Sequence, residues 1–229
     1  MPFAAEFSTL LRGEADAISV WSKTWSATRL GSQVAVIVVG AGLYGAAMGW
    51  WRDPQQALFV AIKFPLIILL TTMGNALING MLAPLLGLNI PFRQSFSAVV
   101  MSFAITSAIL GAFSPLIAFM VWNVPPLSGG VSAAHYSAIL LAHVGVIAFA
   151  GVTGNARLFQ LLATFGRSRA VAARVLFAWL AVNLLLGSQL SWNLRPFIGS
   201  PDLPVEFFRQ NAFQGNFFEA VFHALQRIL

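Results

Sequence analysis

The sequence predicts an all-α integral membrane protein with about five transmembrane helices and an amphipathic interfacial helix at each end. Of its 229 residues, 58% are hydrophobic and only 9% are charged, whereas about 25% of the residues of a typical soluble domain are charged. The mean hydropathy is +0.79. A soluble core of this size could not bury so much apolar surface, so lipid must contact most of the chain. This composition excludes a soluble enzyme, a disordered tail and a coiled coil.

Five apolar stretches are long enough to cross about 30 Å of hydrocarbon, which takes about 20 helical residues each. They are predicted at residues 30–50, 57–81, 97–122, 132–154 and 171–192. Turn-forming residues separate the first four stretches, whereas an Arg-bearing connection of residues 154–170 precedes the last. The chain is thereby divided into an N-terminal tail (1–29), a transmembrane domain (30–192) and a Phe-rich C-terminal tail (193–229).

The tryptophans and the basic residues predict which membrane face each connection occupies. With five spans, Trp50, Trp51, Trp122 and Trp192 all fall at one face, as an interfacial aromatic belt requires. Of the Lys and Arg residues, eight lie on the face of the N-terminal tail and five on the opposite face. Because the inner loops carry the excess of Lys and Arg, we expect the N-terminus inside and the C-terminus outside.

Both tails are predicted to form helices that lie on the membrane. In the N-terminal tail, apolar side chains recur at the spacing of one helical face. Near the C-terminus, Asn216 and Glu219 match a capping box, and the helix that follows would group Glu219, His223, Gln226 and Arg227 in a polar arc. This helix would extend only about 21 Å, which is too short to cross the bilayer. The alternative is that it packs on a partner subunit.

Polar side chains inside the spans are the first candidates for function, because each is costly in lipid. These intramembrane polar residues are Lys63, Asn75, Asn79, His143 and Asn183. Lys63 lies about 9 Å into the second span, a depth from which its side chain can reach back to the interface. The alternatives for Lys63 are a cation site for an anionic lipid headgroup and a partner for Asp53.

His143 and Asn183 lie at similar depths on consecutive antiparallel spans, so we expect a hydrogen bond that joins the two helices. The alternatives for His143 are a proton relay and an axial ligand to a haem or chlorin, which makes it the candidate cofactor-binding residue. His135 lies about 12 Å earlier on the same helix, too far to share one metal ion with His143. No other cofactor is expected.

Small and amide side chains in the first two spans favour close helix packing. Asn75 and Asn79 are four residues apart on one face of the second span, and Gly45-x-x-x-Gly49 in the first span matches a helix-packing motif. A polar lining for a pathway is the alternative for the two asparagines. Every Asp and Glu falls outside the predicted spans, which argues against a carrier driven by protons or sodium.

Catalytic motifs are missing from the sequence. It contains no HExxH, GxSxG or GxxxxGK[ST] pattern. It also has no cysteine, which excludes disulfides, thiolate metal sites and cysteine nucleophiles. Asp202 and Glu206, four residues apart in the C-terminal tail, are more typical of a solvated face than of a general acid and base. We therefore expect neither an enzyme nor a metal site.

The densest local pattern is residues 188–201, where the last span ends. Pro196 and Pro201 end the helix, Gly199 allows a sharp turn, and Arg195 can anchor at headgroups beside Trp192. The simpler interpretation is a helix exit held at the membrane surface. The functional interpretation is an interface for partner subunits and lipid, formed by Trp192, Arg195, Phe197, Phe207, Phe208, Phe213, Phe217 and Phe218.

This same region carries a resemblance. The run Gln-x-x-Trp-x-Leu-Arg-Pro-Phe-x-Gly-Ser-Pro (189–201) is followed by Pro-Val-Glu-Phe-Phe-Arg and Gly-Asn-Phe-Phe-Glu, and Lys63-Phe64-Pro65-Leu66 begins the second span. Together these motifs resemble a family of bacterial multi-span inner-membrane proteins of uncharacterised function. The five-span plan also resembles the Yip1-like trafficking proteins in topology. The resemblance implies a bacterial inner membrane, and it supplies no catalytic residues. In that membrane, the orientation expected from the loop charges places the N-terminus in the cytoplasm and the C-terminus in the periplasm.

Three functions are compatible with these features. The first is a structural or accessory subunit of an inner-membrane assembly, which binds partner subunits and lipid through the Phe-rich tail. The second is a homo-oligomeric channel or small-solute pore lined by Asn75, Asn79, His143 and Asn183. The third is a cofactor-bearing subunit that uses His143 or, as the second choice, His135. Nucleic acid is not an expected partner, because the basic residues are scattered among the loops.

Overall fold

The computed structural model describes residues 8, 12, 26–125, 133–166, 168–199, 204–219 and 226. Within these residues the protein is all-helical, and five helices are long and apolar enough to cross a membrane. They are α1 (Ala27–Trp50), α2 (Pro54–Leu85), α3 (Phe92–Trp122), α4 (Ala133–Gly166) and α5 (Arg169–Leu194). The predicted five-span membrane fold is confirmed. Apart from residues 8 and 12, the predicted N-terminal interfacial helix lies outside the described residues.

Local side-chain chemistry sets where the helices begin. Ser26 accepts a hydrogen bond from the backbone N–H of Arg29 at the start of α1. Asp53 caps α2 by accepting from the backbone N–H of Gln55 at 2.7 Å, and a proline follows at the first helical position. At the C-terminal end, Asn216 accepts from the backbone N–H of Glu219 at 2.9 Å, as the capping-box pattern predicts. The rest of the predicted C-terminal helix lies almost entirely outside the described residues.

Helix α4 is longer than the sequence prediction. It continues to Gly166, so the predicted connection of residues 154–170 is helical for most of its length. Its polar side chains bond within the helix: Asn155 donates to the carbonyl of Gly151, and Arg157 donates to Gln160. Polar residues therefore mark where α4 leaves the hydrocarbon rather than where the helix ends. With 34 residues, α4 extends about 50 Å, well beyond the hydrocarbon thickness.

Four of the helices pack in a ring, and α1 lies outside it. Helix α2 contacts α3, α3 contacts α4, α4 contacts α5, and α5 returns to α2, while α1 packs on α2 and α3. Gly45 and Gly49 bring α1 against the backbone of α2, since a Cβ at Gly49 would lie 2.7 Å from the carbonyl oxygen of Gln56. The predicted helix-packing role of these two glycines is thereby confirmed.

We call the end of the bundle where α1, α3 and α5 end and α2 and α4 begin the tryptophan end. Trp50 and Trp122 are exposed there, with 47% and 70% of their surface accessible. Trp51, however, is buried and donates from Nε1 to the carbonyl oxygen of Pro125 at 3.0 Å. It therefore lies at the expected end of the bundle, but it joins helix ends inside the protein and does not face lipid.

Candidate functional site

The chain beyond α5 folds back over the tryptophan end. We call residues 195–199 and 204–219 the return segment. Gln56, at the start of α2, donates from Nε2 to the carbonyl oxygens of Pro196 and Phe197, at 3.0 and 2.8 Å. Gly199 has a φ of +85°, a conformation that favours glycine, and its carbonyl accepts from the hydroxyl of Tyr136. The first part of the return segment is thus fixed to α2 and α4.

Lys63 holds the second part of the return segment. Its side chain is fully buried, and Nζ donates to the carbonyl oxygens of Pro196 and Glu206, at 3.2 and 3.5 Å. The ammonium also lies 4.9 Å from the centre of the Phe207 ring. The side chain thus reaches back toward the tryptophan end, as one interpretation predicts, and there it donates to carbonyls of the return segment. Asp53, its other predicted partner, caps α2 instead.

Part of the predicted partner interface is used within the chain. Phe207 packs on Phe59 of α2 and on Phe208, with ring centroids 5.4 and 4.9 Å apart. Trp192 donates from Nε1 to the carbonyl of Gln214, and the backbone N–H of Phe217 donates to Gln189. The return segment is therefore attached to both α2 and α5. The phenylalanines with exposed surface are Phe208 (44%), Phe213 (76%), Phe217 (37%) and Phe218 (46%).

His143 bonds to Tyr44 of α1 and not to Asn183, so the predicted His143–Asn183 pair is wrong. The Tyr44 hydroxyl lies 2.9 Å from Nδ1 of His143, and both residues are buried. His143 faces α1, whereas Asn183 lines a different cavity deeper in the bundle. Sequence reasoning missed Tyr44, although it is one of only two tyrosines in the chain and lies in the middle of an apolar span. The other is Tyr136, which also belongs to this site.

A cavity of about 500 Å³ lies beneath the return segment, and we call it the outer cavity. Its walls are mainly apolar, and His143 forms part of them. Its apolar lining residues include Met48, Phe64, Ile67, Leu140, Val144 and Ile147. Within the part of the chain that the structure describes, Nε2 of His143 has no hydrogen-bond partner. The outer cavity is therefore mainly apolar, and Nε2 of His143 is buried beside it without a partner in that part of the chain.

Two arginines line the outer cavity at the tryptophan end. They are Arg195, directly after α5, and Arg209, in the return segment. The guanidinium of Arg195 lies 3.4 Å from the centre of the Trp192 ring and donates to the Trp192 carbonyl. Burial and the positive charge of Arg209 lower the pKa of Arg195. An anion bound here would offset the repulsion between the two cations.

A second cavity, of about 210 Å³, lies deeper within the helix ring, and we call it the inner cavity. Asn75 and Asn183 line it, together with Trp179, and it shares Phe64, Ile68 and Ile147 with the outer cavity. Asn79 instead donates to Asn75 from a fully buried position. Three of the four predicted pathway residues therefore reach a cavity. Beyond the inner cavity, a packed cluster that includes Leu88, Leu162 and Val175 fills the bundle.

The outer cavity is open between α4 and α5. These helices pack tightly at the opposite end, where Leu158 and Leu162 share a buried cluster with Val175. Toward the tryptophan end, none of residues 180–193 is buried. Leu140 and Val144 of α4 keep 42% and 56% of their surface exposed although they line the cavity. In a membrane, this opening faces lipid.

The site has no cluster of metal ligands, since no three His, Asp or Glu side chains come together among the residues that the structure describes. Nε2 of His143 could ligate a haem or chlorin only with the proton on Nδ1. That tautomer would leave the buried Tyr44 hydroxyl proton without an acceptor, so the hydrogen bonding does not favour ligation. Comparisons of this chain with family models, with curated proteins and with solved structures give no match.

Proposed function

We propose that this protein binds an anionic amphiphile, which enters the outer cavity from the bilayer between α4 and α5. The anionic head would lie against Arg195 and Arg209, and the apolar chain would lie along Ile67, Val144 and Ile147. The observation that carries the proposal is the combination of two arginines at one end of the outer cavity with apolar walls below them. A ligand that matches this surface needs a negative charge and a hydrocarbon chain.

The geometry favours a lipid-like ligand over a small aqueous solute. The lateral opening is lined by Leu140 and Val144, both of which are half-exposed, so hydrocarbon can move between the bilayer and the cavity along apolar side chains of α4. The packed cluster beyond the inner cavity contains Leu88 and Leu162. A ligand would thus reach the middle of the bundle and stop there, which argues against an open pore through the monomer.

The loop charges support one orientation of the protein in the membrane. The same excess of Lys and Arg on the side of the N-terminal tail favours a periplasmic position for the tryptophan end in a bacterial inner membrane. In that orientation, Arg195 and Arg209 would meet amphiphiles of the outer leaflet.

The test is the binding of hexadecyl phosphate, with hexadecylphosphocholine as the zwitterionic comparison. Native mass spectrometry of the full chain, released from maltoside micelles, gives the fraction bound for each. We expect hexadecyl phosphate to bind more tightly, and Arg209→Gln to weaken that binding about tenfold, because a charge-assisted hydrogen bond contributes about 1.5–3 kcal/mol.

The matched control is Arg174→Gln, which removes the same charge from an exposed position at the opposite end of α5. It should leave the binding of hexadecyl phosphate unchanged. Equal binding of the anion and the zwitterion, or equal effects of Arg209→Gln and Arg174→Gln, would contradict the proposal.

A role as an accessory subunit is a second proposal, supported by the exposed phenylalanines of the return segment. Phe213 has 76% of its surface exposed, and Phe208 and Phe218 have 44% and 46%. Mild purification of the chain from its native membrane, with Phe213→Ser as the comparison, tests it. A stoichiometric partner that the substitution removes would support this role, and a partner-free chain in both preparations would overturn it.

A further inference from the structure

We propose that Arg195 and Arg209 together select an amphiphile whose head carries two negative charges over one whose head carries a single charge. The ligand class is then a phosphate monoester with a hydrocarbon chain, and not a phosphodiester, a sulfate or a carboxylate. This inference rests on the proposed binding of an anionic amphiphile and adds the charge of its head.

The two guanidinium groups share one end of the outer cavity without a counterion. Arg195 and Arg209 both line it, and the charge of Arg209 is close enough to lower the pKa of Arg195. Among the described residues, no Asp or Glu side chain lines this cavity, and neither arginine forms an ion pair. The lining of the outer cavity therefore carries two positive charges that these residues do not neutralise.

Both arginines have accessible surface and N–H groups to offer a ligand. Neither Arg195 nor Arg209 is buried. Arg195 donates from Nη1 to the carbonyl oxygen of Trp192 at 2.9 Å and stacks on the ring of the same residue. That bond uses one of the five N–H groups of a guanidinium, and Arg209 makes no side-chain hydrogen bond within the described part of the chain. Most N–H groups of the pair can therefore donate to an oxyanion.

A third positive charge lies behind the same wall. Nζ of Lys63 donates to the carbonyl oxygen of Pro196 at 3.2 Å, and Pro196 itself lines the outer cavity. Lys63 is fully buried, so it does not contact the ligand, but its charge adds to the positive potential at this end of the cavity. Because the effective dielectric constant is lower here than in water, that potential favours a second negative charge on the head.

The experiment compares two probes that share one hydrocarbon chain and differ in the charge of the head. At pH 7.5, hexadecyl phosphate is a dianion, since the second pKa of a phosphate monoester is about 6, whereas hexadecyl methyl phosphate is a monoanion. Native mass spectrometry of the full chain, with both probes present at equal concentration, gives the ratio of the two bound forms. We expect the wild type to bind the dianion about tenfold more tightly, because the second charge strengthens the hydrogen bonds from the second guanidinium.

A change of pH separates the charge of the head from the bulk of the methyl group. At pH 5, hexadecyl phosphate must lose a proton to gain its second charge, whereas the diester keeps the same charge. The preference should therefore fall to about twofold. Tyr136, His143, Arg195 and Arg209 line the cavity, and Arg52, Lys63 and Glu206 lie around it. Protonation of any of these groups would make the site more positive and raise the preference, so a fall reports the charge of the head.

Three variants test whether both cations are needed. Arg209→Gln leaves one guanidinium, so the preference at pH 7.5 should fall to about twofold. Arg209→Lys keeps the positive charge and should retain most of the preference. Arg174→Gln, at an exposed position at the opposite end of α5, is the control and should leave the ratio unchanged.

Equal binding of the two anions to the wild type would overturn the inference, while tighter binding of both than of hexadecylphosphocholine would preserve the proposed function. A ratio that stays the same at pH 5 would also overturn the inference, and this measurement needs no variant. So would a ratio that Arg209→Lys or Arg174→Gln lowers as much as Arg209→Gln does. If neither anion bound more tightly than the zwitterion, the proposed function itself would be overturned.

Discussion

The contact between α1 and α2 gives the most direct test of the packing, through the substitution Gly45→Ala. A Cβ added at Gly45 would lie 2.5 Å from the carbonyl oxygen of Val60 and 3.0 Å from the Cβ of Phe64. Ordinary contact for a Cβ begins at 3.4 Å, so the two helices would have to separate by about 0.9 Å, the difference between 3.4 and 2.5 Å. Backbone atoms cannot turn away as the end of a side chain can.

Two opposing effects determine how much Gly45→Ala changes the free energy of unfolding. Overpacking a close contact destabilises a protein by about 1–3 kcal/mol. Replacing glycine by alanine inside a helix contributes about 1 kcal/mol in the other direction. The free energy of unfolding should therefore fall by as much as about 2 kcal/mol in Gly45→Ala.

Gly145→Ala is the matched control. Gly145 also lies inside a transmembrane helix, α4, but an added Cβ there would meet nothing within 4 Å. The helix-propensity term is the same in both variants and cancels in their difference, which isolates the packing term. We expect Gly145→Ala to be more stable than Gly45→Ala by about 1–3 kcal/mol.

The measurement is unfolding by titration with sodium dodecyl sulfate in mixed micelles, followed by tryptophan fluorescence. The order of midpoints should be Gly145→Ala at or above the wild type, and Gly45→Ala below both. If the two alanine variants unfolded at the same midpoint, the close approach of α1 and α2 at Gly45 would be refuted.

Two further predictions concern the return segment and the lateral opening. Lys63→Met removes the donor to the carbonyl of Glu206, so amide hydrogen exchange in residues 204–219 should become faster. The free energy of unfolding should change by less than about 1 kcal/mol, because removal of a buried cation offsets the lost hydrogen bonds. Unchanged exchange would contradict the role given to Lys63. Val144→Trp should obstruct the opening between α4 and α5 and weaken the binding of hexadecyl phosphate about fivefold or more. Val152→Trp, at an exposed position of the same helix, should leave that binding unchanged. If the two tryptophan variants weakened binding equally, the ligand would not enter between α4 and α5 at Val144.

Membrane insertion and helix number could be predicted because they depend on local properties of the sequence. Hydrophobic runs give the five spans whatever the helices later contact. Two short motifs could also be recognised, because each spans only four or five residues. Gly45 and Gly49 allow the close approach of α2, and Asn216 caps the backbone N–H of Glu219, as predicted. The end of α4 was misjudged because Asn155 and Arg157 are polar yet bond within the helix.

The contacts of the candidate site could not be predicted in this way. His143 meets Tyr44, a residue 99 positions away, because α1 packs on the outside of the ring and turns that tyrosine toward α4. Lys63 is satisfied by the carbonyl of Glu206, 143 positions later, because the chain returns over the bundle after α5. Neither contact leaves a periodic signal in the sequence.

The sequence by itself determined that the chain crosses the membrane five times and where its polar side chains lie along each helix. Only the tertiary structure decided which of those side chains meet. The rotation of each helix about its axis and the separation of α4 from α5 depend on packing between distant segments. The path of the return segment over the tryptophan end also depends on such long-range packing. Those same features bring Arg195, Arg209 and His143 to the lining of one cavity.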